Sequence, residues 1–423
     1  MKVLVVGNGA REHAIAWKLR QGSLVDELYV APGNAGTAAI ATNVTVSSAN
    51  IEGLAQSARR LGADLTVVGP EAPLAAGIVD HFQREGLAIF GPTRGAARIE
   101  SSKVFAKELM MKHGIPTGKA QVFDSYEKAC SYLKRQFYPL VVKADGLAAG
   151  KGVTVARNEE AAQKALYQCM EDRVFGSAGD RVLIEEWLTG REVSVFAFTD
   201  GETVSPLVAA CDYKRAYDGD EGPNTGGMGS YSPPEFWSAD LEREIRESIM
   251  VPVVRALASG GHPYRGVLYG GLMLTEDGPK VIEFNCRLGD PETQVILPRL
   301  SSDLLEVLMA VVEGRISETS IEWSDDACVG VVMASGGYPG YYEIGFPISG
   351  LDQAEERALV FHAGTRPLEG GDGVVTEGGR ILTVVGTGAN LEQARQRAYE
   401  GIAQVRFEGG FYRNDIATGV RVG

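Results

Sequence analysis

The sequence predicts a multidomain α/β protein, with an N-terminal doubly wound parallel sheet, a central α+β region carrying a small lid, and a C-terminal α/β unit. Three observations predict it. Short apolar runs alternate with helical patterns up to Phe90, the pattern changes from Ser101 to a helix followed by strands about a Gly-rich turn, and the segment from 322 carries strand and helix patterns of its own. A chain of 423 residues also exceeds one ordinary core and suits about three packed units. The expected units are 1–101, 102–321 with a lid near 119–187, and 322–423.

In the first unit the apolar runs Val3 to Val6, Glu27 to Val30, Leu65 to Val68 and Ala88 to Phe90 read as strands. The segments Glu12 to Gln21, Ile51 to Leu61 and Ala75 to Glu85 read as the helices between them. Strand ends followed by Gly7-Asn8-Gly9, Ala31-Pro32-Gly33-Asn34-Ala35-Gly36 and Gly69-Pro70-Glu71 gather at the carboxyl edge, where open α/β sheets bind ligands.

The central unit begins with a helix over Lys103 to His113. Strands follow near Gln121, Leu140 to Lys143, Val153 and Val182 to Glu185, which together read as the lid. Further strands are expected over Glu192 to Thr199, Val204 to Ala210 and Gly266 to Leu274, with a helix from Leu241 to Ala258. The polar, glycine-rich stretch Asp212 to Tyr231 reads as a long loop without a core, functional or disordered. Its Pro223-Asn224-Thr225-Gly226-Gly227-Met228-Gly229 run resembles a backbone nest for anions, which favours function. Glu276-Asp277-Gly278 reads as a hairpin turn, and Asp303 to Glu313 as a closing helix. The last unit has strands near Ala327 to Ala334, Leu359 to His362 and Ile381 to Val385, and a helix from Leu391 to Gln404.

Composition narrows the function. The formal charge of -14 disfavours a nucleic-acid surface, so an anionic ligand must meet a local cationic pocket. No apolar run reaches the ~18 to 20 residues that span a bilayer. The N-terminus enters a strand directly, without the pattern of a secretory signal, so a cytoplasmic home is expected. Five scattered cysteines, with no Cys-x-x-Cys pair, argue for reduced thiols rather than a disulfide framework or zinc site. The five histidines offer no close pair for a metal.

The strand Val281 to Arg287 carries the strongest functional signal. Residues two apart share a face, so Glu283, Asn285 and Arg287 line one surface while Ile282, Phe284 and Cys286 face a core. A carboxylate, a carboxamide and a guanidinium side by side suit a hard cation and the phosphate oxygens it bridges. A solvated edge strand is the alternative, ranked second because Gly289-Asp290-Pro291 makes an ordered turn directly afterwards.

Other glycine motifs fail as familiar fingerprints. Gly7-Asn8-Gly9 opens a helix after a strand, but Glu12 occupies the third glycine position of a dinucleotide motif, which argues against a nicotinamide oxidoreductase. Anion binding by the helix N-terminus with Arg11 and His13, or a simple tight turn, both fit these residues. The run Lys143 to Val153 departs from a phosphate-binding P-loop, since three residues separate Gly146 from Gly150 and Gly152 replaces the Ser or Thr. A lysine at each end, Lys143 and Lys151, suggests a flap closing over polyphosphate. The segment Val182 to Glu192 reads as a hinge whose backbone could meet an adenine edge, or as a solvated strand end.

Taken together, Gly7 to His13, Ala31 to Gly36, Gly69 to Pro73, Lys143 to Gly152, Pro223 to Gly229 and Arg287 to Glu292 resemble the ATP-grasp superfamily, and within it the phosphoribosylamine-glycine ligase family. The resemblance spans essentially the whole chain. It implies ATP-grasp domains with a lid, and ligation of glycine to 5-phosphoribosylamine through glycyl phosphate, with ATP as co-substrate and Mg2+ or Mn2+ as metal. Another ATP-grasp carboxylate-amine ligase is the nearest rival.

The resemblance assigns residues to roles. It implies that Glu283 and Asn285 hold the metal, and that Lys103, Lys143, Gly150, Lys151, Gly152, Glu185, Glu186, Leu188 and Glu192 bind ATP. Arg287, Asp212 and Lys214 become the catalytic candidates, with Arg287 on the glycine carboxylate. Gly9, Arg11, Asn34, Glu71, Pro223, Asn224, Thr225, Gly226, Gly227 and Asp290 bind substrate. Its partners would be small molecules only, with neither nucleic acid nor membrane, in a monomer or weak homo-oligomer. The family commonly has Gly where Ala10 stands and His where Tyr213 stands.

Overall fold

A computed structural model describes residues 1–147 and 152–419, so the expected contacts of Gly150 and Lys151 lie outside the described residues. A five-stranded parallel sheet opens the chain, in the order Thr42–Asn43, Glu27–Pro32, Lys2–Gly7, Leu65–Val68, Ile89–Phe90. Alternation along its central strand explains the two helical layers. Leu4 and Val6 pack in one core with Leu54 and Ala58, whereas Val3 and Val5 pack in another with Ala14, Ile15 and Leu19. The helix expected over Ala75 to Glu85 is instead two, Glu71–Ala76 and Ile78–Arg84, broken where Gly77 takes φ +93°.

The lid is a four-stranded antiparallel sheet ordered Ala120–Phe123, Val182–Glu186, Leu140–Ala144, Val153–Ala156. Helices Tyr126–Leu133 and Glu159–Met170 cover it, with Ala129, Leu133, Ala162 and Leu166 packed against Leu140, Val142 and Ile184.

An eight-stranded antiparallel sheet forms the body, ordered Gly278–Asn285, Arg265–Thr275, Arg191–Asp200, Val208–Asp212, Gly229–Ser232, Ala327–Ala334, Arg380–Gly388, Leu359–His362. The strands expected in the C-terminal unit therefore extend the central sheet. The hairpin turn at Glu276 and Asp277 joins Thr275 to its partner Gly278.

Two further stretches, both in the central unit, depart from their sequence patterns. The strand placed at Val204 begins at Val208, since Val204 makes only an isolated bridge and Pro206 has no N–H to donate. The stretch Asp212 to Tyr231 is not coreless: Arg215–Tyr217 and Glu221–Asn224 form a hairpin, and Gly229–Ser232 is a buried strand inside the large sheet. Gly229 lets that strand lie close, because a Cβ there would stand 2.7 Å from the Gly330 carbonyl. Low side-chain hydrophobicity concealed backbone that is buried by its neighbours.

Candidate functional site

The edge strand Gly278–Asn285 delivers the metal candidates to the cleft through a bulge. Gly271 pairs with Glu283 but Leu272 pairs with Val281, so Ile282 is an extra residue in the ladder. Val281, Phe284 and Cys286 enter the core, while Ile282, expected there, is only half-buried and its carbonyl accepts a 3.0 Å bond from Lys143 Nζ. Glu283, Asn285 and Arg287 then share the opposite face, with Arg287 Nη2 3.2 Å from Asn285 Oδ1.

Four cations act on Glu283. Burial opposes its charge, yet Lys214, Lys143, Lys103 and Arg287 together hold its carboxyl below the usual range. Burial also opposes the charge on Arg287, but Glu100 and Glu71 outweigh it and raise its pKa. Arg287 meets Glu71 at 3.2 Å and Glu100 at 3.0 Å, so the end of the large sheet is tied to the N-terminal unit at this guanidinium. Lys214 pairs with Glu192. Burial, with Glu292 and Glu192 nearby and Lys214 opposing, pushes Asp212 up to about 7.

The lid face presents a second charged group. Glu185, expected near adenosine, receives Lys143 at 2.7 Å on one oxygen and Lys107 at 3.2 Å on the other. Glu186 accepts the Lys119 N–H at 3.0 Å, Leu188 is half-buried, and Gly152 follows the undescribed part of the flap. Lys103 reaches the Gly146 carbonyl at 2.9 Å, and Asp145 accepts the Val104 N–H at the start of the same helix at 3.1 Å. Sequence reasoning missed Lys107 and Glu100. Lys107 lies one helical turn after Lys103 in Lys103–His113, a spacing that puts both on one face and could have drawn attention to it.

The substrate candidates divide into two groups. Arg11 and Glu71 approach Arg287, Arg11 standing 3.9 Å from Glu71 and 3.3 Å from the Leu288 carbonyl. Gly226, Gly227 and Asp290 gather at Arg380, which bonds the Gly226 carbonyl at 2.5 Å and Asp290 at 2.9 Å, while Thr225 Oγ1 accepts the Gly227 N–H at 2.9 Å and Asp290 also acts on Arg11. No local pattern pointed to Arg380 there. Gly9 and Asn34 already spend their polar groups within the chain: Gly9 N–H donates to Glu12 at 2.7 Å, and Asn34 Nδ2 donates to the carbonyls of Asn8 and His362 at 2.9 and 2.7 Å. Pro223 and Asn224 are exposed on the small hairpin. Tyr213 turns away from the cleft, its hydroxyl accepting the Ala417 N–H at 2.7 Å with Arg413 over its ring.

Family models described as the N domain, the ATP-grasp (A) domain and the C domain of phosphoribosylglycinamide synthetase match residues 1–100, 101–293 and 328–419. The chain belongs to the phosphoribosylglycinamide synthetase family. It is 52% identical over 419 residues to the phosphoribosylamine--glycine ligase of Caldanaerobacter subterraneus subsp. tengcongensis, covering 99% of this chain and 100% of that one. It is 53% identical to a trifunctional purine biosynthetic protein of Gallus gallus, covering 98% of this chain and 42% of that one. The crystal structure of the phosphoribosylamine--glycine ligase of Thermotoga maritima superposes with a TM-score of 0.85 at 35% identity, over 99% of this chain and 100% of that one.

For this synthetase-family chain the donor set suits a hard cation shared with phosphate. Glu283 is held ionised and Asn285 adds a neutral oxygen, whereas no cluster of three or more His, Cys, Asp or Glu stands ready to hold an ion alone among the described residues. Mg2+ is commonly bound in this way, by one or two protein oxygens with substrate phosphates completing the shell.

Proposed function

We infer that the protein joins glycine to 5-phosphoribosylamine with ATP as co-substrate, giving glycinamide ribonucleotide, ADP and phosphate in purine biosynthesis. One observation carries the reading beyond family membership: Arg287, at the end of the strand bearing Glu283 and Asn285, is ion-paired to Glu71 at the carboxyl edge of the N-terminal sheet. On this reading the phosphoryl side and the acceptor side of the ligase meet at Arg287.

A carboxylate is a poor acyl donor because its oxygen does not leave. Attack of a glycine carboxylate oxygen on the γ-phosphorus breaks the bond to ADP and makes glycyl phosphate. The ribosylamine nitrogen then attacks the acyl carbon, phosphate departs, and the nitrogen loses a proton. Lys103 and Lys143 are proposed to neutralise ATP phosphates, with the adenosine along Glu185 to Leu188. Arg287 is proposed to hold the glycine carboxylate and stabilise charge on the reacting acyl group, a role in which one positioned donor is worth ~3 kcal/mol. Lys214, Asp212 and the Thr225 to Gly227 loop are proposed to place the amine and phosphoryl groups, and Arg11 and Glu71 the phosphoribosyl part. Glu283 and Asn285 would hold Mg2+ or Mn2+, which when bound supplies further neutralisation of phosphate charge. A cytoplasmic monomer or weak homo-oligomer acting on small molecules is the form proposed.

The test is product analysis. Incubation with ATP, glycine, 5-phosphoribosylamine and a divalent metal should yield glycinamide ribonucleotide by mass spectrometry, and phosphate release should require all four. Product from formate or bicarbonate in place of glycine, with none from glycine, would transfer the protein to another ligase reaction.

A further inference from the structure

Lys107 and Lys143 share one carboxylate, but they are not equivalent. An ammonium has three N–H donors. Those of Lys107 have three acceptors, Thr117 Oγ1 at 2.7 Å, the Gly118 carbonyl at 3.0 Å and Glu185 Oε1 at 3.2 Å. Lys143 has two among the described residues, Glu185 Oε2 at 2.7 Å and the Ile282 carbonyl at 3.0 Å, which leaves one donor over. All three side chains are almost enclosed, with 3%, 5% and 8% of Lys107, Lys143 and Glu185 exposed. Glu185 divides its single charge between two buried cations, and beyond it Lys143 acts on Glu283, the carboxylate read here as a metal ligand.

We propose that Lys107 is a positioning residue for phosphate binding: its saturated ammonium occupies one oxygen of Glu185, so that Glu185 does not fully neutralise Lys143, and the remaining donor and charge of Lys143 serve an ATP phosphate. The proposal rests on the reading of Lys143 as a phosphate contact. Without Lys107, Glu185 becomes the undivided counterion of Lys143. Removing the negative charge of Glu185 as well should then release Lys143 again.

The experiment measures ATP and adenosine affinity calorimetrically on the full chain for the parent, Lys107→Met, Lys107→Gln, Lys107→Met/Glu185→Gln and Lys143→Met, with a thermal melt for each. Expected is an ATP affinity at least about tenfold weaker in Lys107→Met and Lys107→Gln with adenosine affinity unchanged, and recovery of most of that loss in the double variant once its ATP affinity is taken relative to its own adenosine affinity. A merely structural lysine predicts the opposite pattern, with the double variant no better than the single one and adenosine affected equally. That pattern, or unchanged ATP binding in folded Lys107→Gln, overturns the proposal while leaving Lys143 in place. Unchanged ATP binding in Lys143→Met removes the underlying reading as well.

Discussion

Arg287 Nη2 lies 3.0 Å from one oxygen of Glu100, and the other oxygen of that carboxylate accepts the Cys286 N–H at 2.7 Å. A single side chain from the helix Arg94–Ser101 thus fixes both the backbone and the guanidinium at the end of the edge strand. Replacing Glu100 by Gln keeps the volume but removes the charge that faces Arg287. Loss of one partner from a buried ion pair costs about 3 to 5 kcal/mol in the extreme case, so a lower melting temperature is expected. Steady-state kinetics should also show kcat/KM for glycine reduced by roughly tenfold or more. A lower melting temperature with unchanged kinetics would confine Glu100 to folding.

Glu283 should behave in the opposite sense. The charges of Lys214, Lys143, Lys103 and Arg287 act on its carboxylate, so Glu283→Gln takes charge from the site and little packing from the core. Turnover at saturating metal should fall by roughly 100-fold or more, with a smaller effect on the denaturant midpoint. Near-normal turnover at low metal would strike Glu283 from the ligand set.

The two glycines of the substrate loop should differ. Gly227 has φ +110° and a side chain there would collide with Pro291, whereas a Cβ on Gly226 would meet the flexible end of Arg380 at 3.1 Å. Gly227→Ala should therefore destabilise by about 1 to 3 kcal/mol and raise KM for the ribosylamine. Gly226→Ala should be milder in chemical denaturation and in kinetics, since the guanidinium can shift.

Acid should loosen the contact between His13 of the N-terminal unit and the C-terminal strand Leu359–His362. His13 Nδ1 accepts the His362 N–H at 2.8 Å, which requires that nitrogen to be unprotonated. Burial, with His362 adding to it, lowers His13 to about 3, and burial lowers His362 to about 4. The folded state therefore binds fewer protons than the unfolded state below the ordinary histidine value of about 6.5. This contribution is fully present above about pH 6.5 and is lost progressively as pH falls toward those lowered values. His13→Gln, which retains an acceptor but cannot titrate, should show a smaller drop in denaturant midpoint between pH 7.5 and 5 than the parent.

Local periodicity made much of the architecture legible. The helix Lys103–His113 falls on its expected bounds, because Ser102 caps it and the glycine at 114 ends it in the left-handed region. The parallel N-terminal sheet, the hairpin turn at Glu276 and Asp277, and the cleft-facing set Glu283, Asn285 and Arg287 followed from alternation and turn chemistry. Such signals are carried by residues a few positions apart, where the chain itself fixes direction.

What only the tertiary structure decided lies between residues remote in sequence. Alternation put Ile282 in the core, but pairing with Arg265–Thr275 inserted a bulge and turned its carbonyl to Lys143. Composition made Asp212 to Tyr231 a loop, yet the flanking strands bury Gly229–Ser232 within the sheet. Asn34 carried a substrate-binding residue type, and the fold instead directs its carboxamide to Asn8 and His362. Lys107 looked like an ordinary helix lysine until the lid strand brought Glu185 beside it. By itself the sequence determined which residue types could bind phosphate and metal, because those are properties of side chains. The partners each side chain keeps depend on which strands pair, and that is settled by long-range packing.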